Sequence, residues 1–380
     1  MTPCGFILTP CRLRLALVAT MICGGTVAHA QYVWEPQSVA FTETLWGVAA
    51  GNGVFVAVGD DDIVLTSTDG ADWRLRDSGT TNRWFRGVGF GDGAFVAVGL
   101  GGLLCTSTNG LTWVGRSSGS SMLLCDAASG NGTFVAVGDQ GTVLTSTNLV
   151  AWTNRTSGTA NGLEAVTFGD GQFVAVGFGG AVVTSTNGVS WTRRNSGTNL
   201  WLRDVIYGAD RYVAVGEGGT ILTSVDGIDW TPRDSDTGVF LWGVGYGGGS
   251  YVAVGAGGTV LTSEDGVSWT PRESGTPRLL LGVVSKDNAI VAVGAYGAVT
   301  RSLIAPADSL RLTEPRALAD GTFAFKVNGT VADQALTVYW TETLTNWVVL
   351  TNLTAGPGPP VVVDPLAVDA ADRFYRVSSP

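Results

Sequence analysis

Histidine is almost absent from this sequence: His29 is its single imidazole. Cysteine is scarce, basic residues are outnumbered by acidic ones, and no apolar run approaches twenty residues. Each shortage excludes something. A chain so poor in imidazole lacks the usual general base for neutral pH and the commonest zinc ligand. With 22 Lys and Arg against 32 Asp and Glu, the formal net charge is −10. A surface of that sign repels nucleic-acid phosphates and anionic lipid headgroups. The longest apolar stretch, residues 15–23, is too short to span a bilayer. No nucleic-acid partner, membrane insertion, metal or cofactor is expected.

That short stretch has a different meaning. Arg12 and Arg14 precede it, and Ala28-His29-Ala30 follows it as a small-x-small cleavage site, so residues 1–30 read as a signal peptide. Cleavage would leave Gln31 first and place the protein in the periplasm or outside the cell. Ile22 before Cys23 argues against a lipid anchor. The leader would take with it His29, three cysteines (Cys4, Cys11, Cys23) and two arginines, moving the net charge from −10 to −12.

What the sequence has in abundance is a repeat. Val-Ala-Val-Gly ends at Gly59, Gly99, Gly138, Gly177, Gly216, Gly255 and Gly294, at spacings of 40 and then 39 residues. Tryptophans keep the same register at Trp34, Trp73, Trp113, Trp152, Trp191, Trp230 and Trp269. One unit reads as four strands over residues 241–246, 251–254, 259–263 and 269–273, separated by Gly and Asx turns. Four short strands per 39 residues make a propeller blade. The seventh repeat lacks its Trp-bearing strand, and residues 32–38 supply it, so the ring should close by pairing the two ends of residues 31–303. In this alignment Cys105 and Cys125 fall on different strands of successive repeats, beyond disulfide reach, and read as two buried thiols.

The segments Ser67-Thr-Asp-Gly-Ala-Asp-Trp73, Ser185-Thr-Asn-Gly-Val-Ser-Trp191 and Ser263-Glu-Asp-Gly-Val-Ser-Trp269 resemble shortened Asp-box (BNR-type) turns. With Phe-Val-Ala-Val-Gly, they make residues 32–303 similar to the photosystem II assembly-factor family of seven-bladed propellers. That resemblance implies an all-β propeller and a face bearing clustered arginines. Here only Arg86 and Arg203 stand at the matching first-strand positions, and Trp46, Glu164 and Trp242 fill equivalent slots, so a photosystem role is not carried over. The Asp-box carboxylates Asp69, Asp226 and Asp265 alternate with Asn109, Asn148 and Asn187, which suits turn capping better than calcium. Arg76, Arg116, Arg155, Arg194, Arg233 and Arg272 each lie three residues after a tryptophan. They read as covering stems, or as partners of neighbours such as Asp77 and Glu273.

Comparing the repeats separates what the fold demands from what it leaves free. The fourth-to-first connections and the starts of the first strands vary, as do the second-to-third loops, and strand direction puts both sets at one end of the ring. That end carries Trp46, Trp84, Arg86, Asp126, Glu164, Trp201, Arg203, Asp204, Phe240 and Trp242, aromatics among charges, which is the composition of a recognition surface. Packing between blades is the alternative role for Trp84, Trp201 and Phe240. A protein partner engaged in assembly, scaffolding or adhesion is the first expectation, with no catalytic residues assigned. An extracellular glycan is the second, bound or processed in a sialidase-like way, for which Glu164, Glu217, Asp126, Asp204, Tyr207, Arg86 and Arg203 supply the residue types.

Residues 304–308 break the repeat as a linker. Beyond them, residues 309–380 suggest five or more short strands and a small β-sandwich of immunoglobulin or fibronectin type. The runs at residues 341–347 and 374–377 resemble C-terminal modules of large secreted bacterial proteins, which implies a spacer or attachment role.

Overall fold

The computed structural model describes residues 33–303 continuously, and strands at 6–8, 311–317, 323–328, 335–341, 348–354, 361–364 and 373–378. The chain divides into two compact units, Tyr32–Ile304 and a second made of Met1–Gln31 with Ala305–Pro380.

The first unit is a seven-bladed β-propeller. Each blade is a four-stranded antiparallel sheet, in sequential order in the first six. Blades 1 to 6 span residues 45–75, 85–115, 124–156, 163–195, 202–233 and 241–272. Blade 7 combines residues 280–303 with Trp34–Pro36, whose Trp34 stands opposite Ser302 and Pro36 opposite Thr300. The expected closure is the observed one, and it covers the outer side of Val299–Leu303.

The Val-Ala-Val-Gly strand is second in every blade and is buried on both faces, which is why it is apolar without alternation. Successive residues serve different interfaces. Val56 and Val58 pack toward Phe85, Phe95 and Cys105 of blade 2, whereas Phe55 and Ala57 pack toward Val291 and Val293 of blade 7. The core is thus a ring of interfaces between blades.

The Ser-Thr-Asx-Gly turns are built as capping motifs. Asp69 Oδ1 accepts from the backbone N–H of Ala71 and Asp72 at 2.9 and 3.0 Å, and Ser67 Oγ accepts from Gly70 N. Trp73 donates from Nε1 to Gly70 O and sets its ring against Phe55. The N–H groups, that of Ala71 foremost, hold the Asp69 carboxyl below the usual carboxylate range. Asn109 and Asn187 make the same pair of backbone contacts, so a neutral acceptor serves equally. The arginines after the tryptophans have a partner that the sequence reading did not name. In all six, Nε donates to a threonine hydroxyl on the third strand, Arg76 to Thr66 through Arg272 to Thr262. Register sets each arginine opposite an apolar residue, as Arg194 opposite Val182 and Arg233 opposite Ile221, so the threonine it reaches is the diagonal neighbour on the same face.

The second unit holds two antiparallel sheets. One orders Phe6–Leu8, Arg373–Ser378, Ala335–Thr341 and Val348–Thr354, and the other Arg311–Ala317, Phe323–Asn328 and Val361–Asp364. Apart from Phe6–Leu8, the expected leader lies outside the described residues, as does the linker.

Candidate functional site

One irregularity, repeated seven times, builds the site. In every blade the pairing of the first and second strands shifts register immediately after the first residue of the inner strand. The extra residues of these bulges are Trp46, Arg86, Cys125, Glu164, Arg203, Trp242 and Leu281, each thirteen positions before its Val-Ala-Val-Gly glycine. A bulge bends the strand and re-aims the side chain. All seven residues line the central channel, a cavity of about 360 Å³.

The glycine that ends each second strand anchors the bulge. Gly177 has φ −177°, extended backbone open to any residue, so conformation does not require glycine there. Space does: a Cβ at Gly177 would overlap the carbonyl oxygen of Gly162, and at Gly216 that of Trp201. The same carbonyls accept the next residue's N–H, Phe178 N to Gly162 O at 3.0 Å and Glu217 N to Trp201 O at 2.9 Å. Backbone contact therefore locates the start of each inner strand.

Five of the seven ring residues form a connected chain. Glu164 is buried (6 % exposed) and ion-pairs with Arg203, itself 5 % exposed. The second guanidinium, Arg86, stands 3.7 Å from the same carboxylate oxygen. Arg86 lies over the Trp46 ring at 4.4 Å, and Arg203 lies over Trp242 at 4.8 Å and Trp201 at 5.3 Å. Trp46 is held in turn by donating from Nε1 to Asp60 Oδ1 at 2.7 Å. One carboxylate thus answers two guanidiniums, each backed by an indole. Burial pushes the Glu164 carboxyl up, to about 7, against the pull of Arg86.

Beside Arg203 is a cluster of four aromatic rings from blades 4, 5 and 6. Phe178 stacks on Trp201 with centroids 4.3 Å apart, Phe240 meets Trp201 edge-on at 5.3 Å, and Trp242 lies 4.7 Å from Phe240. All four keep some surface in solvent, Phe178 the most at 40 %. Trp84 is 53 % exposed, and no ring contact is recorded for it among the described residues.

Asp126 and Asp204 follow the ring residues of blades 3 and 5. Each reaches across to the neighbouring blade, Asp126 Oδ2 accepting from Val166 N at 3.0 Å and Asp204 Oδ2 from Val244 N at 2.8 Å. Gly47, Gly87, Ala165, Gly243 and Gly282 hold this place in the other blades. Burial pushes Asp126 up to about 8, with the neighbouring charge of Asp204 adding to the rise, and burial takes Asp204 to about 7.

The sequence-derived residues therefore divide by location. Trp46, Arg86, Glu164, Arg203 and Trp242 share the bulge ring, Asp126 and Asp204 lie one step along the channel wall, Trp201 and Phe240 belong to the aromatic cluster, and Trp84 stands apart. Missed by the sequence reading were Cys125 and Leu281 as ring members, for which the thirteen-residue offset was the available signal. Also missed was the stacking of Phe178 on Trp201, which no spacing reveals. Cys105 and Cys125 are free and buried, as expected. Burial raises the Cys105 thiol to about 11 and Cys125 well above the usual thiol range. Among the described residues no cluster of three or more His, Cys, Asp and Glu is placed to hold a metal.

No protein-family model matches the chain, and no curated protein does. Solved structures do match. A structure of YCF48 bound to D1 peptide superposes with a TM-score of 0.60 at 17 % identity, covering 73 % of this chain and 96 % of that one. YCF48 from Cyanidioschyzon merolae gives 0.58 at 16 %, covering 72 % and 99 %. The WD40 β-propeller domain of Doa1 gives 0.59 at 14 %, covering 72 % and 97 %. At these identities the likeness establishes fold: the chain is an all-β seven-bladed propeller with YCF48 among its structural neighbours.

Proposed function

We propose that the chain is an exported, non-catalytic propeller whose channel-mouth face binds a protein partner in assembly, scaffolding or adhesion. One observation carries this reading: Phe178, Trp201, Phe240 and Trp242 form a part-exposed aromatic patch against Arg203, whose position is held by a buried ion pair. Aromatic and arginine side chains so fixed are the anchors on which protein interfaces concentrate their binding energy. Because Glu164 already answers Arg86 and Arg203, the face offers aromatic surface and guanidinium planes more than free positive charge. The neighbour YCF48 has been solved bound to D1 peptide, which supports a polypeptide ligand. The Asx turns are of the Asp-box kind, and the C-terminal module is a small β-sandwich acting as a spacer outside the cell.

The test is photo-cross-linking from chosen positions in the native organism's envelope and culture fluid. A photoreactive residue replaces Phe178 or Trp84 on the proposed face, and Val189 in an Asx turn as control. Protein adducts from the first two positions alone are expected. Polysaccharide adducts would transfer the face to glycan binding. Equal adducts from Val189 would refute the face assignment.

A further inference from the structure

The rim of the propeller is guarded unevenly. The outer strand of each blade is a free sheet edge unless something blunts it. In these strands the third residue after the tryptophan position bonds inward, as Arg76 N to Val64 O, Arg116 N to Leu104 O and Gln37 N to Val299 O, each at 2.8 Å. The residue before it consequently turns its backbone N–H and C=O away from the sheet. In blades 5, 6 and 7 that residue is Pro232, Pro271 and Pro36, which offer no N–H. Leu75 and Gly115 hold the place in blades 1 and 2, whose outer strands are only two residues long. Blades 3 and 4 use neither device. Their outer strands, Thr153–Thr156 and Thr192–Asn195, are four residues long and free of proline, with Asn154 and Arg193 exposed at the outward position.

Charge singles out blade 4. Thr192–Asn195 carries Arg193 and Arg194 and no acid, in a chain of net charge −10. Arg194 is tied through Nε to Thr184. Arg193 and Arg194 also border a groove of about 420 Å³ between this strand and the 228–230 turn of blade 5, where Asp229 is the one acid. We propose that the outer edge of blade 4 accepts an extended acidic segment of another protein as a fifth strand. The backbone groups at Arg193 supply the ladder, and its guanidinium selects acidic side chains on the incoming strand. A second copy fits worse, because two-fold pairing of this edge with itself would set like-charged arginines against each other. The edge lies on the rim, away from the channel-mouth ring, so this surface stands or falls separately from that face.

The test screens a library of capped ten-residue peptides against the full chain and against Arg193→Pro. Proline occupies the same place in the next two blades, so the fold should tolerate it, and an unchanged melting temperature verifies this. Peptides retained by the unaltered chain should be net-negative and free of proline, and should bind Arg193→Pro at least tenfold more weakly. N-methylating alternate peptide nitrogens should abolish binding. If Arg193→Pro melts early, Arg193→Glu, which keeps the backbone N–H, carries the test by losing the same peptides. Equal binding to the unaltered and substituted chains, or an absence of acidic residues among the lost peptides, would overturn the proposal.

Discussion

Asp126→Asn should stabilise the propeller, by an amount that grows with pH. Asp126 hangs on the channel wall, accepts from Val166 N of the next blade, and titrates at about 8 because burial and the charge of Asp204 oppose its ionisation. Its ordinary value in the unfolded chain is near 3.8. Between about pH 4 and pH 8 the folded state therefore holds the extra proton, and stability falls as pH rises through that window. At about 1.4 kcal/mol per pH unit the whole shift would approach 6 kcal/mol. Solvent reaching the half-buried side chain reduces that to about 1–3 kcal/mol. Asparagine keeps an oxygen to accept the Val166 N–H and carries no charge. The substitution should thus be near neutral at pH 4.5 and stabilising at pH 9, where about 2–4 °C in Tm accompanies each kcal/mol. Denaturant unfolding of both proteins at pH 4.5, 6, 7.5 and 9 reads the difference, since every carboxylate except the coupled Asp204 titrates alike in the two. A difference independent of pH, or a loss of stability at pH 9, would refute the reasoning. Adding Asp204→Asn should give less than the sum of the single effects, because each removal relieves the other carboxylate.

Two tryptophans in equivalent turns should respond differently to loss of the indole N–H. Trp191 donates to Gly188 O at 2.8 Å, whereas Trp152, in the turn where Leu149 replaces glycine, has no partner for Nε1 among the described residues. Trp191→Phe should cost about 1 kcal/mol more than Trp152→Phe in denaturant unfolding. Gly177→Ala should destabilise by about 2–3 kcal/mol or more through its clash with Gly162 O, and a cost under 1 kcal/mol would show that the anchor yields. Cys105 and Cys125, buried and raised in pKa, should resist alkylation at pH 8 in the native protein and react only as denaturant unfolds it, followed by mass spectrometry.

Most of the architecture was legible without coordinates, because a propeller repeats one local solution. The Val-Ala-Val-Gly strand, the Asx turn and the tryptophan each depend on neighbours within a blade or in the next, so their spacing counts the blades. The orphan Trp34 likewise announced how the ring closes. Even the ring positions were visible as slots, since Trp46, Arg86, Glu164, Arg203 and Trp242 share one offset from the repeat glycine. What joins them was not. That Glu164 serves Arg86 and Arg203 together, that Phe178 stacks on Trp201 from the adjoining blade, and that Asp126 and Asp204 cap N–H groups of the next blade are contacts between residues 23 to 78 positions apart. The threonine partners of the outer-strand arginines were hidden for a related reason, since each lies diagonally across the last strand pair, ten residues away in the chain. Local chemistry writes the blade, and ring closure decides which side chains of different blades meet, because their separation in space depends on the bulge and the angle between sheets.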